Sequence, residues 1–334
     1  MTTEFSQLPA TPERVRRLAQ LGYLDRQGLE QGLRLTGGIP NRQGWARFLD
    51  YSLLVLGALF FTSGLFFFVA YNWEELPRFA RFGVLQTAIV LLLIITHWVG
   101  LNRLGGKIAL TVASLLVGAL LAVFGQEYQT GADAYTLFGY WALLIAGWVV
   151  ISKFDLLWGI LLALLNLTLV LFWNQVLPGD QYPQPETLFA LNAVALIAWE
   201  VMGWRFTWWQ HRWLNRLTAL VAFGFILWPT LAVIFSLYDG YYDVPTIHYY
   251  GPLIYALFLT AVFLVYSRWQ PDLFMLTMAM LSLIIVLTAL IGLTLAEVDD
   301  VGSYFITGFS VIVQAGIAVT ILRRIAQRWE DTTV

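Results

Sequence analysis

The sequence has no cysteine and little charge. Only 12% of its 334 residues are charged and 59% are hydrophobic, whereas soluble domains carry about 25% charged residues. The absence of cysteine excludes disulfides, thiolate catalysis and cysteine-based zinc or iron–sulfur sites. So few charges would not cover a globular surface of this size in water, and lipid is the solvent that removes that need.

Recognisable chemical motifs are absent as well. The sequence contains no phosphate-binding glycine-rich loop with lysine, no HExxH and no GxSxG, which are the patterns of common nucleotide, zinc and serine-hydrolase sites. The three histidines, at positions 97, 211 and 248, have no metal-ligand spacing. No cleavable signal peptide is visible in the polar, arginine-rich first 49 residues. We therefore expect no cofactor and no metal, and an enzyme is the less favoured class.

Ten apolar segments are long enough to cross a bilayer, which takes about 20 helical residues. They lie at 50–71, 80–101, 107–125, 134–151, 155–173, 186–204, 215–237, 249–267, 273–296 and 302–322. Only residues 152–155 separate the fourth from the fifth, so these two must form a tight hairpin. Reading one of them as a re-entrant segment gives eight or nine spans. The segments predict an all-α, polytopic helical membrane protein with about ten transmembrane helices.

The basic residues predict the orientation. With the N-terminus inside, 17 of the 19 lysines and arginines fall in inside segments, and only Arg78 and Arg81 fall outside. An excess of basic residues in short loops marks the cytoplasmic side. This pattern predicts that both ends are cytoplasmic. It divides the chain into a cytoplasmic amphipathic helical region (1–49), a transmembrane bundle (50–323) and a cytoplasmic tail (324–334).

The N-terminal region carries two helix starts. Thr11 precedes Pro12 and Glu13, a capping residue followed by residues suited to a first helical turn. Asp25 can cap a second short helix, which Gly37, Gly38 and Pro40 end. Two helices of about 35 residues in all are too few to fold well alone. We expect them to pack on the cytoplasmic face, on lipid headgroups or on a protein partner.

Several motifs in the first half of the chain resemble a known family. They are Arg-Leu-Ala-Gln-Leu-Gly-Tyr-Leu at 17–24, Ala-Tyr-Asn-Trp at 70–73, Gly-Gln-Glu-Tyr-Gln-Thr-Gly-Ala-Asp at 125–133 and Trp-Ala-Leu-Leu at 141–144. Over residues 10–150 they are similar to the prokaryotic membrane-protein family called domain of unknown function 2157. The resemblance implies a multi-pass protein of the bacterial cytoplasmic (inner) membrane. It implies no established activity and no catalytic residues.

Gln126, Glu127 and Asp133 flank the turn between the third and fourth segments. A carboxylate at the membrane boundary can bind a cation, take up a proton or meet a lipid headgroup. Alternatively, the turn is stabilised by its own side chains, with Asp133 capping the helix that begins at Ala134.

A second acidic turn, with Glu297, Asp299 and Asp300, lies between the ninth and tenth segments. If the two turns met, their oxygens would suit a hard cation such as calcium. The spacing matches no calcium-loop signature, and solvated loop ends are the alternative interpretation.

Glu200 lies inside the sixth segment, close to its cytoplasmic end. An ionisable group there is a candidate for a proton or ion path. The alternative is snorkelling, or pairing with Arg205 or Arg212. Asn192, in the same segment, is the other polar candidate, since asparagine often bonds transmembrane helices together.

Three functions stay open at the level of sequence. The first is a transporter or a lipid- or solute-handling protein. The second is a membrane scaffold or sensor whose N-terminal helices bind a cytoplasmic partner. The third is a membrane enzyme with an outward-facing acidic site. The expected partners are the lipid bilayer and either a cytoplasmic protein or a second copy of the chain. The tryptophan-rich stretch 204–213 indicates interfacial anchoring rather than nucleic-acid binding.

Overall fold

A computed structural model describes residues 10–39, 42–71, 77–128, 131, 133–177, 183–206, 208–209, 211–239, 245–296 and 301–332, and in them it contains helices and no strand. The helices are α1 (Pro12–Gln20), α2 (Arg26–Leu35), α3 (Arg42–Tyr71), α4 (Arg78–Val99), α5 (Leu104–Glu127), α6 (Ala134–Ser152), α7 (Asp155–Val176), α8 (Gln184–Arg205), α9 (Trp213–Asp239), α10 (Gly251–Arg268), α11 (Leu273–Ala296) and α12 (Val301–Thr332). A 3₁₀ turn (Thr246–Tyr250) precedes α10.

Ten of the described helices, α3 to α12, are long and apolar enough to cross a membrane. The predicted count of ten is therefore confirmed, including the uncertain fourth and fifth segments. These two form the helical hairpin α6–α7, whose turn contains only Lys153 and Phe154. Lys153 ends α6 in the left-handed region with φ 49°, and the Ser152 hydroxyl accepts a hydrogen bond from the Phe154 amide.

The two predicted helix starts near the N-terminus are confirmed. The Arg14 amide donates to Thr11 Oγ1 and the Gly28 amide donates to Asp25 Oδ1, at 3.4 and 2.7 Å. Each bond satisfies an amide that has no partner within its own helix.

Helices α3 and α12 are longer than the apolar segments that predicted them. Helix α3 begins at Arg42, so its first residues continue into the first span without a break. Helix α12 continues to Thr332, through most of the predicted cytoplasmic tail. The division at residues 49 and 323, and the cytoplasmic position of both ends, stay predictions.

The chain divides into two compact units, Met1–Arg81 with Ile95–Val112 and Phe82–Ile94 with Ala113–Val334. In the first unit, α1 packs on α2. A Cβ built on Gly32 of α2 would lie 2.6 Å from Val15 Cγ1 of α1, so only a glycine permits this approach.

The second unit has a core between α8, α9, α10 and α11, with α12 packed against it. Large side chains from all four helices meet there, and α12 contributes Trp329 from its last turns. The buried members include Phe189, Leu196, Phe223, Ile226, Tyr255, Val262, Met275 and Leu276. This core fixes the ends of the four helices relative to one another.

A second close approach joins α5 to α6. A Cβ on Gly118 would lie 2.5 Å from the ring of Trp141, so the tryptophan lies directly on the glycine backbone. The Trp141 Nε1–H donates to the Ser114 carbonyl at 2.7 Å. The bond satisfies the indole donor, which would be costly to leave unpaired in lipid.

Candidate functional site

Glu200 accepts hydrogen bonds from three side chains that lie on different segments of the chain. Glu200 is 9% exposed and lies five positions before the end of α8. Its Oε1 accepts hydrogen bonds from the Tyr266 hydroxyl at 2.6 Å, Asn215 Nδ2 at 2.9 Å and Arg212 Nη2 at 3.1 Å. One carboxylate therefore joins α8 to α9, to α10 and to the segment that precedes α9.

Arg212 links Glu200 to the segment between α10 and α11. Its Nε donates to Asp272 Oδ2 at 2.7 Å, and its Nη1 donates to Gln270 Oε1 at 2.8 Å. Nη1 also reaches Glu200 Oε2 at 3.4 Å. Burial alone would lower the pKa of Arg212, but the charges of Glu200 and Asp272 outweigh it and raise the pKa above its usual value. The guanidinium is therefore a permanent positive charge between two carboxylates.

Asp272 is buried, at 3% exposure, and serves two structural roles. Its Oδ1 accepts the amides of Phe274 and Met275 at the start of α11. Its Oδ2 accepts from Arg212 and from Arg216 Nε, the latter at 3.2 Å. Burial alone would raise the pKa of Asp272, but the hydrogen bonds and charges of the two arginines hold it below its usual range. We call these seven residues the Glu200 cluster: Glu200, Arg212, Asn215, Arg216, Tyr266, Gln270 and Asp272.

The Glu200 cluster lies where several helix ends meet. It joins the end of α8, the beginning of α9, the end of α10 and the beginning of α11. The start of α7 is also here, because Trp213 Nε1 donates to Asp155 Oδ2 at 3.1 Å. Trp329 Nε1, in α12, donates to the Ser267 carbonyl. All of these ends belong to segments predicted to face the cytoplasm.

Aromatic rings form one wall of the cluster. Trp199 of α8 stacks on Trp209 with ring centroids 5.0 Å apart, and Trp158 of α7 packs edge-on against both. The Arg212 guanidinium lies 5.6 Å from the centre of the Tyr266 ring. These rings exclude water from one side of the ion pairs, which strengthens them relative to pairs in bulk water.

A polar pocket of about 190 Å³ opens beside Glu200. Glu200, Arg212, Asn215 and Gln270 line it together with Gly203, Trp209 and His211. The pocket contains a carboxylate, a guanidinium, two amides and an imidazole. It can hydrogen-bond a small polar group or several water molecules.

Asn192 lines a different pocket. Its Nδ2 donates to Asn166 Oδ1 at 2.6 Å and to the Leu188 carbonyl at 2.8 Å, while Asn166 Nδ2 donates to the Leu162 carbonyl and to Asn192 Oδ1. The pair thus joins α7 to α8. A predominantly apolar groove of about 270 Å³ lies over it, lined by Gly159, Leu162, Ala163, Asn166, Asn192, Leu214, Leu217, Thr218, Val221 and Phe225.

The first acidic turn, at Gln126–Asp133 between α5 and α6, is built differently from the Glu200 cluster. Gln126 and Asp133 are exposed and Glu127 is half-buried. Asp133 occupies the position before α6, but its side chain makes no capping hydrogen bond. Its backbone carbonyl instead accepts from the Thr136 hydroxyl at 2.6 Å. The described residues therefore place the helix start as predicted, but without the predicted side-chain cap.

Glu297, Asp299 and Asp300 lie outside the described residues. The described ranges contain no group of three or more histidine, cysteine, aspartate or glutamate residues able to hold a metal ion. The suggestion that the two acidic turns form one cation site stays a prediction.

Sequence patterns did not single out most members of the Glu200 cluster. Tyr266 and Asp272 lie 66 and 72 positions after Glu200, and nothing in their spacing relates them to it. One local signal was available for Asp272, which follows Gln270-Pro271 directly before a long apolar segment. Aspartate there is a typical helix cap.

A buried His248–Glu186 pair was also missed. His248 Nδ1 lies 2.6 Å from Glu186 Oε1 and connects the 3₁₀ turn before α10 to the first turn of α8. These residues lie at the end of α8 opposite the Glu200 cluster.

The fold and the buried polar residues define a polytopic helical membrane protein. Residues 16–158, less than half of the chain, match the family described as "Predicted membrane protein (DUF2157)". This match confirms the resemblance carried by the motifs between residues 17 and 144. No curated protein and no solved structure matches the chain significantly. The match supports a membrane protein, and the description of the family names no activity.

Proposed function

We propose that this chain is a multi-pass protein of the bacterial cytoplasmic membrane that handles a lipid or another amphipathic solute at a site formed by α7, α8 and α9. The observation that carries the proposal is that both polar candidates in the sixth span line pockets. Glu200 lines the polar pocket and Asn192 lines the apolar groove.

The apolar groove suits a hydrocarbon chain. Eight of its ten lining residues are apolar or present a small side chain, and the two asparagines bond chiefly to each other and to helix carbonyls. Their polar atoms are therefore already hydrogen-bonded and do not need a polar group from a ligand. A groove of this kind gains affinity by burying apolar surface and needs few directed bonds. Within a bilayer, van der Waals packing of the ligand in the groove supplies most of that affinity.

The polar pocket suits the other end of such a molecule. The Glu200 cluster balances two carboxylates against two arginines, so a headgroup can exchange hydrogen bonds with it without leaving a net buried charge. The side chain of Arg216 is 43% exposed and that of Arg212 is 31% exposed, so both can be reached from outside the core.

The two pockets are close in sequence and in the fold. Leu214 lines the groove and Asn215 lines the polar pocket, and they are consecutive residues in the first turn of α9. Trp199, which directly precedes Glu200 in α8, donates to Thr218 Oγ1, a groove residue, at 3.1 Å. We expect an amphipathic molecule to place its polar end at Arg212 and its chain along α7 and α9.

Photolabelling tests this proposal. The purified chain in nanodiscs is exposed to a phospholipid that carries a diazirine in its acyl chain. Ala163→Phe fills the groove, because Ala163 is exposed and lines it. Ala256→Phe is the matched control, since Ala256 is also an exposed alanine, on α10 and outside the groove.

We expect Ala163→Phe to reduce the labelling of α7 and α9 severalfold, and Ala256→Phe to leave it unchanged. Equal labelling of both variants and the wild type would contradict the proposal. The scaffold hypothesis would then be better supported.

A further inference from the structure

One face of α1 combines arginines with leucines that the helix pair itself does not use. At about 100° per residue, Arg14, Arg17, Leu18 and Leu21 fall within an arc of about 100°. Leu18 is 44% exposed and Leu21 is 64% exposed. Val15, which lies beside this arc, is the residue that packs on Gly32 of α2. The contact between α1 and α2 therefore uses Val15 and leaves Leu18 and Leu21 exposed.

Other large apolar side chains of the helix pair are exposed as well. Tyr23, in the turn after α1, is 76% exposed, and Leu35, at the end of α2, is 89% exposed. Single exposed apolar residues are ordinary on protein surfaces, but these two and the two leucines of the arginine–leucine face are four in a unit of about 30 residues.

The helix pair is basic. Residues 10–39 contain five arginines and three acidic residues, a net charge of +2. Glu30 pairs with Arg34 at 2.7 Å, and the Asp25 carboxylate caps α2. Two of the three acidic groups are thus committed within α2, and positive charge dominates α1.

The first span holds this pair near a bilayer surface. Seven residues lead from Leu35 to Arg42, where α3 begins, and they span at most about 25 Å. The first turns of α3 carry Trp45 and Phe48, both exposed, with their rings edge-on at 5.9 Å. Exposed aromatic residues at the start of a span are typical of the membrane–water boundary. The helix pair therefore stays within reach of the headgroups.

We infer that the α1–α2 pair is an anionic-lipid-binding unit, in which Leu18 and Leu21 enter the boundary of the bilayer and Arg14 and Arg17 meet phosphate groups. Basic residues beside apolar ones on a single helix face are the pattern of helices that lie in the membrane surface. A negatively charged leaflet attracts each arginine near it.

A single-cysteine probe tests the inference in the full chain. The chain has no native cysteine, so Leu18→Cys can carry an environment-sensitive NBD fluorophore. Gln20→Cys is the matched control, because Gln20 is exposed on α1 but lies about 110° from the centre of the arginine–leucine face. Each labelled protein is placed in nanodiscs of phosphatidylcholine alone or mixed with phosphatidylglycerol.

We expect phosphatidylglycerol to shift the emission of the Leu18 probe to the blue and to leave the Gln20 probe unchanged. High salt should reverse the shift, because the attraction is screened. Brominated lipids should quench the Leu18 probe only.

Charge variants separate the lipid from a protein contact. Arg17→Gln removes one charge from the arginine–leucine face, and Arg16→Gln removes one from the opposite side of α1. Arg17→Gln should weaken the surface-bound state about fivefold, while Arg16→Gln should have a smaller effect. Equal effects of the two variants would overturn the inference. So would a Leu18 probe that is shielded equally in both lipids, which would indicate docking on protein.

Discussion

The Glu200 cluster and the first acidic turn began as similar hypotheses, each a carboxylate near a membrane boundary. In the cluster, the carboxylate of Glu200 accepts hydrogen bonds from three side chains. One of them, Arg212, also binds buried Asp272. In the turn, Asp133 is exposed and its side chain does not cap the helix that follows it.

The difference lies in how many helix ends converge. Four helix ends surround Glu200, so its partners come from segments far apart in the sequence. The turn at Gln126–Asp133 belongs to one connection between two consecutive helices. An acidic residue near the boundary is therefore weak evidence for a site, and convergence of distant polar side chains is stronger evidence. Four sets of substitutions test this contrast.

The largest effect is expected for Arg212→Ala. It leaves Glu200 and Asp272 near each other without the charge between them. Breaking a buried pair costs about 3–5 kcal/mol, and because the Arg212 side chain is 31% exposed we expect about 2–3 kcal/mol. Arg205→Ala is the matched control, since Arg205 is the exposed alternative partner of Glu200. Scanning fluorimetry should show a clear drop in melting temperature for Arg212→Ala only. Equal drops would show that Arg212 has no special role.

The next effect concerns the charge of Asp272. Asp272→Asn keeps an oxygen to cap α11 and removes the negative charge, which should reduce stability by about 2 kcal/mol at pH 7. Because the folded state lowers the pKa of Asp272, its contribution is complete above about pH 4, the usual aspartate value, and is lost as pH falls through the lowered pKa. The difference in melting temperature between wild type and variant should be constant from pH 6 to 8 and shrink in acid. A difference that grows in acid would contradict this account.

A smaller effect is expected at the amide pair. Asn192→Leu removes the bonds to Asn166 and should cost about 1 kcal/mol, the typical size for side-chain bonds between membrane helices. Asn166→Leu should cost a similar amount. The double variant should be less destabilised than the sum of the two, because they share one interaction. Strict additivity would show that the pair does not connect α7 to α8.

The smallest effects are expected in the acidic turn. Gln126→Ala and Asp133→Asn should each change stability by less than about 0.5 kcal/mol, the usual range for exposed positions. The same scanning assay measures them beside Arg212→Ala. A loss as large as that of Arg212→Ala at either position would remove the contrast between the two regions.

Sequence patterns predicted the helices far better than the site. Length and apolarity alone located α3 to α12, because a helix in lipid must satisfy its own backbone over a fixed thickness. The short α6–α7 connection, which left the count open, is a tight turn at Lys153. The helix starts at Thr11 and Asp25 were local signals and were confirmed.

The site depended on information that is not local. Both Arg205 and Arg212 were candidate partners of Glu200, and spacing did not distinguish them. Arg205 ends α8, whereas Arg212 lies in the segment that returns towards α9, where its side chain reaches both Glu200 and Asp272. Which helix ends meet depends on packing of the whole second unit, including the core between α8 and α11.

The central proposal is that a lipid or similar molecule occupies the site formed by α7, α8 and α9. The most direct measurement is to map diazirine phospholipid adducts on the wild-type chain by peptide mass spectrometry. We expect adducts concentrated at residues 159–166 and 214–225, well above those on other lipid-facing helices. Adducts spread evenly over α3, α10 and α12, with no excess in the groove, would contradict the account.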